Sequence, residues 1–324
     1  MAGRTLGRFD WTALRRKAAP ERSWAIDEGK FWGLSFSRDG KSLVYVAHVD
    51  GTCEIRVVGA DGRGLKVITA TRADELVSEM HGFTSDDRGL VYGVARSGAD
   101  HELWTADLGA TDGFEVTRRM AQGYFFAGWA DDYDAVYVFD RSTGERKTFR
   151  INFRGDVVQV NSRRLDRTVA ITADGNHLFY SEKEAERRFS IWRAGIDGTN
   201  PERIAEVATG CFARRLQLEL SPDGEFLHAS ALGPADGALD QLLSFNLLLS
   251  TDGKLRRTIP VKGWASGHRA IVGGEGRSLM LADLRKGTIA PFIDQAVDHF
   301  TVSRDGRRCA YVSGRHLRVS PVPA

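Results

Sequence analysis

A five-residue sequence motif, here called the phrase, occurs seven times and limits this chain to few folds. Each copy starts with an apolar residue, continues with small or polar residues and reaches a turn that is usually Asp-Gly. The copies begin at Phe36, Phe83, Trp129, Ile171, Leu220, Trp264 and Val302, and successive copies lie 38 to 49 residues apart. A repeat of this length that contains short β-like runs predicts a propeller.

Each repeat has the pattern of four antiparallel strands. In the first repeat the phrase is followed by the apolar runs 42–46, 54–58 and 66–69, with the hairpin signal Asp61-Gly62 before the last run. β-branched and aromatic residues bounded by turn formers predict strands, and Asp-Gly favours a tight hairpin turn. Four such strands make one blade. We therefore predict an all-β fold, a single seven-bladed β-propeller domain over residues 1–324.

The last repeat lacks its fourth strand, and the N-terminal part of the chain can supply it. The repeat stops after the run 317–319, whereas the run 22–26 precedes the first phrase. We predict that residues 22–29 form a closing strand that completes the last blade and closes the ring. Closure would remove two exposed sheet edges. Residues 1–21 are expected to be an N-terminal appendage.

The first repeat also resembles a known family. Residues 36–69 read F-S-x-D-G-K-x-L-x-Y-V…I-x-V…D-G…T, which is similar to the repeats of TolB-type propellers, relatives of the WD-repeat propellers. The resemblance covers essentially the whole chain, although Tyr133 and His268 replace the turn glycine in the third and sixth copies. It implies the propeller fold. Because such repeats occur in protein-binding modules, saccharide lyases and peptidase lids, it implies no residue-level assignment.

Charge and cysteine content exclude several classes of protein. The formal net charge is only +2, so any basic patch must be local and nucleic acid is not expected as a partner. Cys53, Cys211 and Cys309 lie far apart without a CxxC spacing, which excludes a disulfide framework or a zinc finger and fits a reducing compartment. No secretory signal or membrane-length apolar segment is found. We expect a cytoplasmic protein.

The sequence contains none of the familiar catalytic or nucleotide-binding motifs. It lacks a G-x-S-x-G elbow, a P-loop, a G-x-G-x-x-G after a strand and an H-E-x-x-H, so we expect no cofactor. The aspartates of the repeated phrase are expected to be structural, because such side chains bond nearby backbone amides in turns. We therefore expect the functional site on the opposite face, in the loops that enter each first strand.

Arginines and aromatic residues are concentrated in those loops. The guanidinium group of arginine, with its paired N–H donors, favours the binding of carboxylate, sulfate or phosphate groups. Aromatic rings can stack on a flat ring or a sugar ring. The alternative is a solvated basic rim or a set of structural ion pairs. The predicted ligand-binding residues are Arg163, Arg164, Arg167, Arg214, Arg215, Tyr124, Phe125 and Trp32.

Four histidines are predicted to share the same face, in blades one, two and seven. They are His48, His81, His101 and His299. Neutral imidazoles could bind a transition metal, and His81 or His299 could act as a catalytic base. No HxH or HxxxH spacing supports a metal, and chance can also place four histidines on one face, so we predict no metal site.

The sequence has seven copies of a structural repeat and no catalytic motif, which favours a binding or assembly module. Its ligand would be a protein segment or a small anionic molecule, held by the loop face and the central channel. The alternative is a lyase for an acidic saccharide, in which arginines neutralise a carboxylate and a histidine abstracts the α-proton. Nucleic-acid binding through a basic rim is the third possibility.

Overall fold

The fold is described from a computed structural model of the chain. The structure describes residues 23–71, 75–96, 102–109, 117–122, 124–130, 135–140, 148–152, 157–161, 169–172, 174–213, 216–235 and 238–323. The predicted appendage, residues 1–21, lies outside these ranges. The helical content of the described residues is one short 3-10 turn, Glu275–Arg277, and every other regular element is a strand. The predicted all-β propeller fold is confirmed.

The described strands form seven four-stranded antiparallel sheets, numbered in chain order. Sheet 1 contains β2 (Lys30–Phe36), β3 (Ser42–Val49), β4 (Thr52–Gly59) and β5 (Lys66–Ala70). Sheet 2 contains β6 (Glu75–Phe83), β7 (Gly89–Arg96), β8 (Glu102–Asp107) and β9 (Thr117–Gln122). Sheet 3 contains β10 (Tyr124–Ala130), β11 (Ala135–Asp140), β12 (Thr148–Asn152) and β13 (Val157–Asn161). Sheet 4 contains β14 (Val169–Ile171), β15 (His177–Ala185), β16 (Arg188–Gly195) and β17 (Glu202–Ala208).

The remaining strands form three sheets of the same kind. Sheet 5 contains β18 (Gln217–Leu220), β19 (Phe226–Ala235), β20 (Ala238–Ser250) and β21 (Arg256–Arg257). Sheet 6 contains β22 (Val261–Ser266), β23 (Arg269–Gly273), β24 (Leu279–Asp283) and β25 (Thr288–Ile293). Sheet 7 contains β26 (His299–Val302), β27 (Arg308–Ser313), β28 (His316–Pro321) and the N-terminal strand β1 (Trp24–Glu28). The first described strand is thus hydrogen-bonded to the last one.

In five of the described sheets, side chains of the repeated phrase fix the turn that follows the first strand. In sheet 1 the Ser37 hydroxyl donates to Asp39 Oδ1 at 2.8 Å, which also accepts the Lys41 amide at 2.9 Å. The glycine that follows, Gly40, has φ +68°, a conformation that glycine adopts without strain. The same hydroxyl–carboxylate pair recurs at Thr84–Asp86, Thr172–Asp174, Ser221–Asp223 and Ser303–Asp305. The turn aspartates are structural, as expected.

The core consists of apolar clusters between neighbouring sheets. One cluster joins sheet 7 to sheet 1 and includes Leu43, Tyr45, Leu317 and Val319, all completely buried. The three cysteines are buried and free. In the described ranges no helix is long and apolar enough to cross a membrane.

Candidate functional site

A cavity of about 720 Å³ lies where the first strands of six sheets end. Its walls come from the phrase residues of sheets 1, 2, 4, 5, 6 and 7, so the cavity lies at the centre of the propeller. Its lining includes the charged side chains of Arg38, Asp174, Asp223 and Arg304, together with His81 and Trp264. We expected this end of the molecule to be purely structural. The structure shows instead that the turns also enclose a space large enough for a ligand.

The charges on the cavity wall are separated by sign. Arg38 and Arg304 occupy the same position of the phrase in sheets 1 and 7, which contact each other through β2 and β26. Asp174 and Asp223 come from sheets 4 and 5, which contact each other through β14 and β18. In a propeller these two pairs of sheets face each other across the channel. The cavity therefore has a cationic side and an anionic side.

The two wall aspartates are held by their own turns. Asp174 Oδ1 accepts hydrogen bonds from the Thr172 hydroxyl and, at 3.1 Å, from the Asn176 amide. The Thr172 hydrogen bond is the main cause that lowers the pKa of Asp174. Asp223 Oδ1 accepts from the Ser221 hydroxyl at 2.6 Å and from the Glu225 amide at 3.2 Å. Both carboxylates contribute charge to the cavity while their hydrogen bonds serve the fold.

His81 lies on the cavity wall at an irregular point of strand β6. The register of β6 shifts between Met80 and Gly82, and His81 is the residue between them. Its side chain is only 7% exposed, and its Nε2 atom lies 3.7 Å from Glu79 Oε2. A candidate base with a neighbouring carboxylate is thus present at the turn end of the channel.

The other predicted histidines do not join His81. His299 is the first residue of β26, and His48 pairs with Lys30, the first residue of β2; both are exposed. His81 is instead the third residue from the end of β6. Since the inner strands of a propeller run in one direction, His48 and His299 lie at the opposite end from His81. His101 lies outside the described residues. Within the described ranges, no three His, Cys, Asp or Glu side chains are placed to hold a metal ion.

The predicted anion site falls largely on residues that the structure does not describe. Arg163, Arg164, Arg167, Arg214 and Arg215 all lie outside the described ranges. Tyr124 and Phe125 begin strand β10.

Trp32 serves the packing of sheets 1 and 2. Its indole N–H donates to the carbonyl of Val77 at 3.0 Å, and its ring packs against the core between the two sheets.

One titratable pair on sheet 5 was missed by the sequence reasoning. Glu219 on β18 is directly opposite His228 on β19. Burial raises the pKa of Glu219 to about 7 and lowers that of His228 to about 4. The His228 Nε2 atom lies 3.2 Å from Asn246 Oδ1. The signal that could have found this pair is the position of Glu219, which immediately precedes the fifth copy of the phrase.

Comparison with known proteins shows the fold and little else. No protein-family model matches the chain, and no curated protein matches it. Many solved structures do match it. An oligogalacturonate lyase in complex with manganese superposes with a TM-score of 0.62 and 16% identity, covering 91% of this chain and 90% of that one. An oligogalacturonate lyase from Vibrio parahaemolyticus gives 0.61 and 12% identity, covering 92% and 91%.

A protease domain gives a similar superposition. The β-propeller domain of the Trilobed protease from Pyrococcus furiosus superposes with a TM-score of 0.58 and 13% identity, covering 91% of this chain and 96% of that one. At such identities the likeness concerns the backbone. These structures differ in activity but share one architecture, so the chain has the β-propeller fold.

Proposed function

We propose that this chain is a β-propeller binding module whose central cavity holds an anionic group of a protein segment or of a small molecule. The observation that supports the proposal is the cavity of about 720 Å³ with Arg38 and Arg304 on one wall. Its volume falls in the range of ligand-binding clefts. The two guanidinium groups belong to adjoining sheets and suit a carboxylate, sulfate or phosphate.

The wall chemistry supports binding more than catalysis. Asp174 and Asp223, the two carboxylates on the wall, are hydrogen-bonded within their turns, which fixes their position and leaves them poorly suited to move protons. The fold itself is one that presents ligands to a channel formed by several blades.

The proposal is tested by removing the two wall cations. We expect the double substitution Arg38→Ala and Arg304→Ala to weaken the binding of citrate and of the peptide Ac-Glu-Glu-Glu-Glu-NH2 by about tenfold or more, since hydrogen bonds between charged groups contribute about 1.5–3 kcal/mol. Isothermal titration calorimetry at low salt measures the affinity. Arg193→Ala is the control: Arg193 lies on β16, the third strand of sheet 4, away from the cavity lining, and pairs with Glu202. Equal affinities in the double variant and the control would refute the proposal.

A lyase for an acidic saccharide is the second candidate. Two oligogalacturonate lyases superpose on at least 91% of the chain, and His81 has a carboxylate neighbour at the cavity. In such a reaction a base removes the proton next to the carboxylate, a carbon–carbon double bond forms, and the glycosidic oxygen leaves and takes up a proton. Incubation with oligogalacturonate should then produce an ultraviolet-absorbing unsaturated sugar, and His81→Ala should abolish it. No increase in absorbance with the wild-type protein would exclude this candidate.

A further inference from the structure

The residue that precedes each phrase is small in every copy except one. Six copies carry serine, glycine, alanine or threonine there, whereas the fifth carries glutamate: the residues are Ser35, Gly82, Gly128, Ala170, Glu219, Gly263 and Thr301. This position belongs to the inner strands, and in the six sheets that line the cavity it lies at or next to the lining residues. Sheet 5 therefore brings one ionisable side chain to a level of the channel where the other sheets have small residues.

The packing of β18 shows which way the Glu219 side chain points. Leu218 and Leu220 pack against the apolar cluster shared by sheets 4 and 5. Successive residues of a strand point to opposite faces, so Glu219 points towards sheet 6. It is accessible to solvent at the channel, although the surrounding protein is close enough to raise its pKa to about 7.

Neighbouring groups do not neutralise this carboxyl. Glu219 has no hydrogen bond or ion pair with any residue in the described part of the chain. His228, directly opposite, is neutral at pH 7 because burial lowers its pKa to about 4. The charge of Lys262 on β22 acts on His228, and burial is the cause of the shift at Glu219. A carboxylate without a partner at the channel wall attracts a cation, and the protein around it strengthens this attraction because it lowers the local dielectric.

Trp264 provides a second unsatisfied group on the facing sheet. It packs against the cluster shared by sheets 5 and 6, so it lies on the side of sheet 6 that faces Glu219. Trp264 also lines the cavity. Its Nε1 atom is buried and has no hydrogen-bond acceptor among the described residues. A buried indole N–H normally has an acceptor, so a ligand that brings one is favoured here.

The two groups define the chemistry of one occupant. The unpaired carboxyl favours a cation, the face of an indole ring attracts ammonium and guanidinium groups, and the unpaired indole N–H favours an acceptor such as an amide carbonyl. A peptide with a basic side chain supplies all three. We propose that Glu219 and Trp264 form a subsite for a lysine or arginine side chain of a protein segment bound in the channel.

This inference rests on the proposed binding function and narrows its ligand. Arg38 and Arg304 lie across the cavity from sheet 5 and would take an anionic group. A segment that carries both an acidic group and a basic side chain matches the separated charges of the cavity, which favours a protein segment over a simple anion.

The test compares two peptides that differ in one charge. The probes are Ac-Gly-Lys-Gly-NH2 and its norleucine analogue, which has a similar apolar chain without the ammonium group. Binding is followed by NMR of protein labelled with 13C at the glutamate carboxyls. We expect the lysine peptide to bind about tenfold or more tightly than the analogue and to lower the titration midpoint of Glu219, because an ammonium group stabilises the ionised carboxyl. The analogue should leave the midpoint unchanged.

Two variants complete the test. Glu219→Gln should remove the preference for the lysine peptide. Trp264→Phe, which lacks the N–H and has a face that attracts cations less strongly, should weaken both peptides, and the lysine peptide more than its analogue. Equal affinity of the two peptides for the wild-type protein, or a midpoint that rises on binding, would overturn the subsite. Citrate binding that depends on Arg38 and Arg304 would then still uphold the binding function, so the two failures are distinguishable.

Discussion

At the scale of the residue, one hydroxyl group connects the N-terminal strand to sheet 1. Tyr45 is completely buried on β3, and its hydroxyl donates to Asp27 Oδ2 on β1 at 2.6 Å. The same carboxylate oxygen accepts from the Arg56 guanidinium at 2.9 Å, and Arg56 also pairs with Glu54. Burial and the bond to Asp27 raise the pKa of Tyr45 well above its usual range, so the phenol remains a donor at any physiological pH. The network holds sheets 7 and 1 together.

Removal of this hydroxyl should measurably destabilise the protein. We expect Tyr45→Phe to lower the free energy of unfolding by about 1.5 kcal/mol, because a buried bond to a charged acceptor is lost while Asp27 keeps its bond to Arg56. Urea denaturation measures the change. A double-mutant cycle with Asp27→Asn isolates the pair, and additive effects of the two substitutions would contradict a direct interaction.

At the scale of the element, the turn after the first strand stabilises an ionised aspartate carboxylate by hydrogen bonds. The Thr84 hydroxyl donates to Asp86 Oδ1 at 2.7 Å and is the main cause that lowers the pKa of Asp86. The pKa of Asp174 is lowered in the same way by Thr172. In the second copy Asp87 takes the place of glycine with φ +56°, and its carboxylate accepts the Arg38 amide at 2.7 Å. The turn of sheet 2 thus holds the turn of sheet 1.

These turns should make the fold sensitive to acid. A carboxyl whose pKa is lower in the folded state contributes stability that is complete above its unfolded value of 3.8 and is lost as the pH falls through the folded value. We therefore expect stability to decline below about pH 4. Asp86→Asn should reduce the slope of this decline, as measured by thermal melts at several pH values. An unchanged slope would mean that Asp86 titrates alike in both states.

At the scale of the whole molecule, the pairing of β1 with β28 joins the two ends of the sheet series. Trp24 lies opposite Val319 and Glu28 opposite His316, with one irregularity between Ala25 and Asp27. Without β1 the edge of β28 would be exposed, and exposed edges are prone to pair with other chains.

Deletion of residues 1–28 should therefore lower the melting temperature and promote aggregation. Differential scanning calorimetry and light scattering measure the two effects. The matched control is a deletion of residues 1–22, which leaves every pairing between β1 and β28 in place. Equal melting temperatures for the two truncated proteins would show that β1 contributes nothing to the ring.

The sequence predicted the scaffold well because the scaffold is local and repeated. The phrase places hydroxyl, carboxylate and glycine at fixed offsets, so its turns and the strands beside them are encoded within a few residues. The predicted closing strand, 22–29, corresponds to β1 at Trp24–Glu28.

The site was less predictable because it depends on how distant repeats assemble. Glu219 is an ordinary polar residue of a short strand until the fold places it on the side of β18 that faces sheet 6. Arg38 and Arg304 lie 266 positions apart in the sequence and share a cavity wall only because the sheets 1 and 7 adjoin. The position of His81 depends on the length of its strand. Because β6 begins at Glu75, His81 lies within the strand near its end and not in the loop that precedes it.

The antiparallel closure has a mechanical consequence. Trp24 at the start of β1 lies beside Val319 near the end of β28, so a force that pulls the two ends of the chain apart acts on the same end of this ladder. The hydrogen bonds of an antiparallel pair lie perpendicular to the strands, and such a load breaks them one after another, like a zipper, rather than all together in shear. Under such tension we expect the ladder between β1 and β28 to open from its Trp24 end.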